Sequence, residues 1–201
     1  YQFADDASDP ALLQAIHDAD AILASIPPDV AGDPAARAFA DASARARRLR
    51  CPVYLWWTGF YADGGGGVVD AHSRADGDDA AAHARRVAES QWRALARRRG
   101  VSCAVFRLAG LYGPGRNALV QLAQGRARYL DRPGTLFNRV HVEDVCSAIQ
   151  ASIEAPASSA GDATWLLADD LPASPRDVFA HAVRLSGRAL PPPLADDDPT
   201  I

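Results

Sequence analysis

The chain has 201 residues, of which 48% are hydrophobic and 23% charged, and its formal net charge is −4. This composition is typical of a soluble, globular, one-domain protein and excludes an intrinsically disordered chain. Because the sequence has neither a basic excess nor an apolar run of transmembrane length, it predicts no nucleic-acid partner and no membrane partner.

The first 110 residues alternate between helical and strand patterns. Asp9 precedes Pro10 and Asp33 precedes Pro34, and both pairs are helix-start signals, since the carboxylate caps the first turn and proline fits its first position. Predicted strands lie at 1–4, 21–26, 53–57 and 103–108, and predicted helices at 10–19, 34–50 and from 78 or 79 to 100. The alternation predicts an α/β fold with a doubly wound parallel sheet.

After residue 117 the pattern becomes mixed. Predicted helices lie at 118–125, 143–154 and 175–186, and predicted strands at 127–130, 136–140 and 163–168. We therefore expect the main sheet in residues 1–115 and a small C-terminal lobe, interleaved with that sheet, in residues 116–201.

The three cysteines of the chain, Cys51, Cys103 and Cys146, lie far apart and at no spacing that suits a metal site. An odd number of separated cysteines is typical of reduced thiols. The sequence therefore predicts a cytoplasmic location and no metal centre.

Residues 106–117 form the most informative segment. An apolar strand pattern ends there in a turn built on Gly110, Gly113, Pro114 and Gly115. In an open α/β sheet, ligands bind outside the carboxyl ends of the strands. The segment is therefore a candidate binding site.

Several segments resemble the extended short-chain dehydrogenase/reductases, in particular their atypical epimerase/dehydratase-like branch. Residues 107–114 read Arg-Leu-Ala-Gly-Leu-Tyr-Gly-Pro, residues 140–145 read Val-His-Val-Glu-Asp-Val, and residues 169–173 read Asp-Asp-Leu-Pro-Ala. Residues 1–28 and 55–63 are similar to the third strand, helix and fourth strand of that family and to its fifth strand. The likeness covers nearly all residues from 1 to about 193.

The resemblance implies a Rossmann-like fold, NAD or NADP as cofactor and a small-molecule substrate, and it allows a homodimer. On this basis residues 1–115 are part of an NAD(P)-binding domain and residues 116–201 a substrate lobe. The implied cofactor-binding residues are Asp6, Ser25, Ile26, Pro27, Arg85, Leu108, Ala109 and Gly110. The implied substrate-binding residues are Arg116, Asn117, Asn138, Arg139 and His141.

Two of the implied substrate residues carry guanidinium groups, which suit a carboxylate or a phosphate. Arg139 and His141 could equally form a brace between the lobes. Arg107 is predicted to form a structural ion pair, and Tyr61 could be a packed residue whose hydroxyl caps a loop.

The sequence departs from the family pattern in its phosphate-binding turn and its catalytic pair. No Gly-x-x-Gly-x-x-Gly turn follows the first strand, so we expect the N-terminal βαβ unit of the fold to be missing from this chain. The family's tyrosine and lysine fall on Ala81 and Arg85, and all 21 Lys+Arg residues are arginine. Trp57 stands where the family has a serine or threonine. Tyr61 and Thr58 remain as catalytic candidates.

The sequence therefore supports two hypotheses of different classes. The first is an NAD(P)-binding oxidoreductase of the epimerase/dehydratase type, which transfers hydride on a small polar substrate. The alternative is a catalytically degenerate nucleotide-binding sensor or scaffold. A third possibility is an incomplete, non-functional product.

Overall fold

The computed structural model describes residues 9–58, 61, 67–73, 80–155 and 163–195. The strand predicted at 1–4, the cofactor candidate Asp6 and the start of the helix predicted at 78 or 79 lie outside these residues. Seven helices and six strands occupy the described part of the chain. In order they are α1 (Pro10–Asp18), β1 (Ala21–Ala24), α2 (Pro34–Ala38), α3 (Ala40–Arg45), β2 (Cys51–Trp57), α4 (Ala80–Arg99), β3 (Ala104–Leu108), β4 (Gly110–Tyr112), α5 (Ala118–Ala123), β5 (Arg139–His141), α6 (Val142–Glu154), β6 (Ala163–Leu167) and α7 (Pro175–Ser186).

The predicted helix starts are confirmed. Asp9 accepts hydrogen bonds from the amides of Ala11 and Leu12, and the Asp33 carboxylate does the same for Ala35 and Ala36. The single helix predicted over 34–50 is wrong. It divides into α2 and α3, because the buried Phe39 leaves helical geometry at the junction (φ −109°, ψ 14°), and it ends at Arg45.

Four parallel strands form the main sheet in the order β1-β2-β3-β6. Strand β1 ends at Ala24, two residues before the predicted end, and prolines follow at 27 and 28. Strand β6 comes from the C-terminal part of the chain and pairs with β3 from Ala163 to Leu167. The predicted α/β fold with a parallel, Rossmann-like sheet is confirmed.

Helices cover both faces of this sheet, as the doubly wound prediction requires. Tyr54, Trp56 and Val105 point to the face covered by α4, where they pack with the fully buried Trp92. Val53 and Phe106 alternate with them and pack on the other face, against α6. Side chains of successive strand residues point to opposite faces, so both faces are apolar where helices lie on them.

The small lobe is built differently from the prediction. Strand β4 pairs with β5 in a separate parallel sheet of two strands, and α5 packs on α7 around Leu122, Tyr129 and Phe179. The strand predicted over 127–130 is reduced to one bridge between Leu130 and Leu194. The strand predicted over 136–140 starts later, as β5. The division at residue 115 stays a prediction.

Among the described residues, no helix is both long enough and apolar enough to cross a membrane. No group of three or more His, Cys, Asp and Glu side chains in the same residues is arranged to hold a metal ion.

Candidate functional site

The carboxyl ends of β2, β3 and β6 meet at one edge of the main sheet. The Thr58 amide donates to the Leu108 carbonyl (2.9 Å), and the Ala109 amide donates to the Leu167 carbonyl (3.0 Å). The Gly110 amide then donates to the Asn138 carbonyl (3.2 Å), which carries the chain from the main sheet into the small lobe. The segment singled out from the sequence is therefore the junction of the two sheets.

A cleft of about 720 Å³ opens between this edge and the small lobe. Its walls come from the end of β2, from β4 and the turn after it, from α5, from the segment before β5 and from α7. Six of the predicted site residues lie in its lining. They are Thr58, Gly110, Arg116, Asn117, Asn138 and Arg139.

Asn117 holds the turn between β4 and α5. Its side-chain oxygen accepts from the Val120 amide (2.9 Å), and its amide nitrogen donates to the Gly113 carbonyl (2.9 Å). Asn117 is thus the N-cap of α5, and both ends of its side chain are engaged in shaping the cleft wall.

The two predicted guanidiniums of the cleft have different surroundings. Arg139 is partly buried, and its Nη1 donates to the carbonyls of Phe137 (3.1 Å) and Ala173 (3.2 Å). Burial lowers its pKa, and the nearby Asp169 opposes that shift. Arg116 is exposed, and its guanidinium has no hydrogen bond or ion pair with the described residues.

His141 lies outside the cleft lining. Its Nδ1 accepts from the Glu143 amide (3.3 Å), which makes His141 the N-cap of α6. The ring packs edge-on against Tyr112, with 5.1 Å between the ring centroids. This arrangement is a brace between β4 and α6, and a substrate-binding role for His141 stays a prediction.

Tyr112 is the phenol that lies in the cleft. The pKa of Tyr112 is raised, by hydrogen bonding to the Asp169 carboxylate more than by burial. The Asp169 amide donates to the Arg139 carbonyl at 2.6 Å, which fixes the loop after β6 beside β5.

Tyr61, the first catalytic candidate, is not among the cleft residues. Its hydroxyl accepts from Arg107 Nη1 at 2.6 Å, beside a buried ion pair in which Arg107 Nη2 approaches Glu89 at 3.2 Å. The Arg107 guanidinium also lies over the Trp56 ring, 5.3 Å from its centroid. The ion pair predicted for Arg107 is confirmed, and this surrounding favours the reading of Tyr61 as a packed residue.

The cofactor candidates are distributed along the strand ends. Ser25, Ile26 and Pro27 follow β1, and Leu108 and Ala109 are buried at the end of β3. The Leu108 carbonyl and the Ala109 and Gly110 amides already bond to neighbouring strands or loops. Their roles toward a cofactor stay predictions.

Arg85 lies in the second turn of α4 as the structure describes it, and it is partly buried. Its guanidinium has no hydrogen bond or ion pair with the described residues. A role for Arg85 toward a cofactor stays a prediction.

Sequence reasoning missed most of the cleft wall. It assigned no site role to the apolar residues of β4, α5 and the segment before β5, nor to helix α7. The residues missed are Leu111, Tyr112, Ala118, Leu119, Gln121, Arg128, Leu136, Phe137, Pro175, Val178, Phe179, His181, Ala182 and Leu185. The helix predicted over 175–186 is confirmed as α7, but only the tertiary contact between α5 and α7 brings it to the site.

Comparison with models of protein families finds no match, and comparison with the curated proteins finds none either. Solved structures do match. One is a functionally unknown conserved protein from Silicibacter pomeroyi DSS, with 37% sequence identity and a TM-score of 0.78. The match covers 90% of this chain and 62% of that one, so the chain spans less than two thirds of that protein.

Two further structures contain bound NAD. MoeE5 in complex with UDP-glucuronic acid and NAD has 18% identity and a TM-score of 0.76, over 94% of this chain and 70% of its own. DesIV (dTDP-glucose 4,6-dehydratase) from Streptomyces venezuelae, with NAD and TYD bound, has 17% identity and a TM-score of 0.72, over 95% and 66%. These likenesses establish that the chain has the fold of NAD-dependent epimerase/dehydratase-type enzymes.

Proposed function

We propose that the protein is an NAD(P)-binding oxidoreductase of the epimerase/dehydratase type, which holds the nicotinamide end of the cofactor at the edge of the main sheet and a small substrate in the cleft. The observation that supports this most is the position of the cleft. It opens at the carboxyl edge of the parallel strands, where α/β folds bind dinucleotides, and its far wall is a second, smaller lobe.

The strand ends fit the nicotinamide half of such a cofactor. Arg85 offers a half-buried guanidinium that has no partner among the described residues, and guanidinium nitrogens donate readily to ribose hydroxyls. Ser25 is exposed just beyond β1. When bound, the cofactor would supply a hydride acceptor or donor. Asp6, Ile26 and Pro27 remain candidates for further cofactor contacts.

On the substrate side, Arg116 and Asn138 would bind the ligand, while Arg139 and Asn117 hold the wall in place. Thr58 lies in the cleft at the end of β2 and can donate or accept a hydrogen bond there. Tyr61 is the weaker catalytic candidate, because Arg107 already occupies its hydroxyl. The proposal also includes a cytoplasmic location and a homodimer.

A second candidate function is nucleotide binding without catalysis. It is favoured by the sequence at α4, where Ala81 and Arg85 stand at the places of the family's tyrosine and lysine. An alanine cannot transfer a proton, and a guanidinium stays protonated at any physiological pH. A sensor or scaffold would keep the cofactor contacts and lack the reaction.

Titration of the full-length protein with NADH and with NADPH tests both candidates. We expect enhanced nicotinamide fluorescence on binding, and about tenfold weaker binding in Arg85→Ala, because one charge-assisted hydrogen bond is lost. Arg98→Ala, an exposed arginine on the same helix, is the matched control and should bind as the wild type does. No binding of either nucleotide would overturn both candidates.

If the nucleotides bind, absorbance at 340 nm distinguishes the oxidoreductase from the sensor or scaffold. A change in absorbance during a single turnover with a substrate favours the oxidoreductase. Tight binding with no turnover of any offered substrate favours the sensor or scaffold.

A further inference from the structure

The cleft collects exposed apolar side chains. The described residues include fourteen large hydrophobic side chains that are exposed, and six of them line this one cleft. These six are Trp57, Leu111, Leu119, Leu136, Phe137 and Leu185, with exposed fractions from 38% for Leu111 to 66% for Leu185. A concentration of exposed apolar surface in a concave site marks a ligand-binding site.

The charges of the lining have one sign. Arg116, Arg128 and Arg139 line the cleft, and no aspartate or glutamate is among its described lining residues. Asp169 raises the pKa of Tyr112, but it is not itself part of the lining. In a chain with a net charge of −4, this local surplus of cations favours an anionic ligand.

Only one of these cations is fully available. Arg128 Nη1 donates to the carbonyls of Gly125 (3.2 Å) and Ala127 (2.8 Å), and Arg139 Nη1 donates to two further carbonyls. Arg116 has no such partner among the described residues. One free guanidinium matches one carboxylate in bidentate geometry.

We propose that the substrate of this cleft is a small organic carboxylate with an apolar, aryl or alkyl body, which carries the single hydroxyl or carbonyl carbon that would give or take the hydride. Its carboxylate pairs with Arg116, and its body lies against Leu136 and Phe137, with Trp57 at the main-sheet edge. The inference rests on the proposed function, since it names the substrate class of the same cleft.

A hydroxyl-rich ligand suits this lining poorly. Each sugar hydroxyl that is buried without a hydrogen-bond partner costs free energy, and the walls beside Leu111, Leu119 and Leu136 offer none. Asn117, one of the two asparagines in the lining, is already engaged at both ends of its side chain. An apolar body removes this cost and gains from the same surface.

Calorimetric titration of the full-length protein with three probes tests the proposal. The probes are 4-phenylbutyrate, its neutral analogue 4-phenylbutyramide and the hydroxylated carboxylate glucuronate. We expect 4-phenylbutyrate to bind about tenfold more tightly than either of the other two, because only it satisfies both the cation and the apolar wall.

Two variants locate the contacts. Arg116→Gln should weaken 4-phenylbutyrate about tenfold and leave the amide unchanged. Leu136→Gln should weaken both the acid and the amide, since each uses the apolar wall. Arg188→Gln, an exposed arginine outside the cleft, is the charge-matched control and should change neither affinity.

Three outcomes overturn the proposal: glucuronate binds as tightly as 4-phenylbutyrate, Arg116→Gln leaves the affinity for the acid unchanged, or no probe binds. The comparison of the three probes on the wild-type protein needs no variant, so it decides even if a variant fails to fold. NADH is titrated separately. Binding of the acid without binding of NADH would therefore contradict the proposed function alone, and the reverse would contradict the substrate class alone.

Discussion

Two arginines nine residues apart, at either end of the same strand-to-turn segment, illustrate how differently the two sides of the sheet edge are built. Arg107 points into the face covered by α4, where it is 8% exposed and bonds to Glu89, Tyr61 and the Ala71 carbonyl. Arg116 lies on the cleft side, exposed, with no partner among the described residues.

The same contrast extends to the neighbouring groups. Under α4, Glu89 also accepts from Arg93 (3.1 Å), and Arg93 donates to Thr164 on β6. In the cleft, apolar side chains are exposed beside a free cation. A buried charge is tolerated only when it is paired, whereas a charge in an open cleft is solvated and can remain unpaired until a ligand binds. The α4 face therefore stabilises the fold, and the cleft is the proposed binding side.

The largest expected effect comes from Glu89→Ala. It leaves two guanidiniums without their shared carboxylate in a site where Arg107 and Glu89 side chains are only 10% and 13% exposed. Breaking a buried ion pair by removing one partner typically costs about 3 to 5 kcal/mol. Urea unfolding followed by far-ultraviolet circular dichroism measures the loss in the free energy of unfolding.

Glu143→Ala is the matched control for this loss. Glu143 is 80% exposed in its side chain and lies 3.9 Å from His141, so removing it should cost less than about 1 kcal/mol. If the two substitutions lower the free energy of unfolding equally, the buried ion pair of Glu89 and Arg107 stabilises the fold no more than the exposed Glu143 does.

The second effect comes from Asp33→Ala. The buried carboxylate caps α2 through the amides of Ala35 and Ala36, and its other oxygen accepts from the Trp92 indole at 2.9 Å. Loss of a cap costs about 1 kcal/mol, and a buried indole left without an acceptor costs about 1 to 3 kcal/mol. We expect a loss of about 2 to 4 kcal/mol in the same unfolding measurement.

Asp9→Ala separates the two contributions. Asp9 caps α1 through the amides of Ala11 and Leu12 but is exposed, and it accepts no hydrogen bond from a tryptophan in the part of the chain that the structure describes. Its loss should cost only about 1 kcal/mol. Equal losses for Asp9→Ala and Asp33→Ala would mean that the Trp92 hydrogen bond contributes nothing.

The elements of the main sheet were predicted well from the sequence, whereas the lining of the cleft was predicted poorly. Caps at Asp9 and Asp33 and the apolar strand patterns are local signals, so the order of elements and the parallel sheet were predictable. The ion pair of Arg107 was also expected, because a cation in a buried strand needs a partner. Its partner Glu89 was not identified, since 18 residues of chain separate them.

The cleft depends on contacts between distant segments. Leu136, Phe137 and the residues of α7 meet only when the chain returns past β6, and nothing local in their sequence marks them as a wall. Arg116 and Asn138 were predicted through the family resemblance. Tyr112, which lies in the cleft, was overlooked in favour of Tyr61, because Asp169, which raises the pKa of Tyr112, lies far from it in the sequence.

A smaller effect is expected on the ionisation of Tyr112. A tyrosinate beside the Asp169 carboxylate is unfavourable, so the pKa of Tyr112 is raised above its ordinary value. Hydrogen bonding to Asp169 is the larger cause and burial is the smaller one. Asp169→Asn should lower this pKa, as followed by NMR of ¹³C-labelled tyrosine during a titration. Asp144→Asn removes a charge with a smaller effect on this pKa and should lower it less.

The sign of the linked effect on stability follows from the same shift. The pKa of Tyr112 in the folded protein is higher than that of an unfolded tyrosine, which is about 10. The contribution of Tyr112 to the free energy of unfolding is therefore fully present below about pH 10, and it is lost as the pH rises through the pKa of the folded protein. Asp169→Asn should therefore make stability fall less steeply with pH in the alkaline range. An unchanged Tyr112 titration in Asp169→Asn would contradict the assigned contact.

The smallest effect on the fold is expected for Arg116→Gln, and it bears most directly on the contrast between the two arginines. Arg116 is exposed and has no described partner, so its replacement should change the free energy of unfolding by no more than about 0.5 kcal/mol. The same unfolding measurement used for Glu89→Ala checks this. A loss of more than about 1 kcal/mol in the free energy of unfolding would mean that the Arg116 side chain stabilises the turn between β4 and α5. If Arg116→Gln leaves the free energy of unfolding unchanged and lowers the affinity for 4-phenylbutyrate, Arg116 contributes to binding and not to folding.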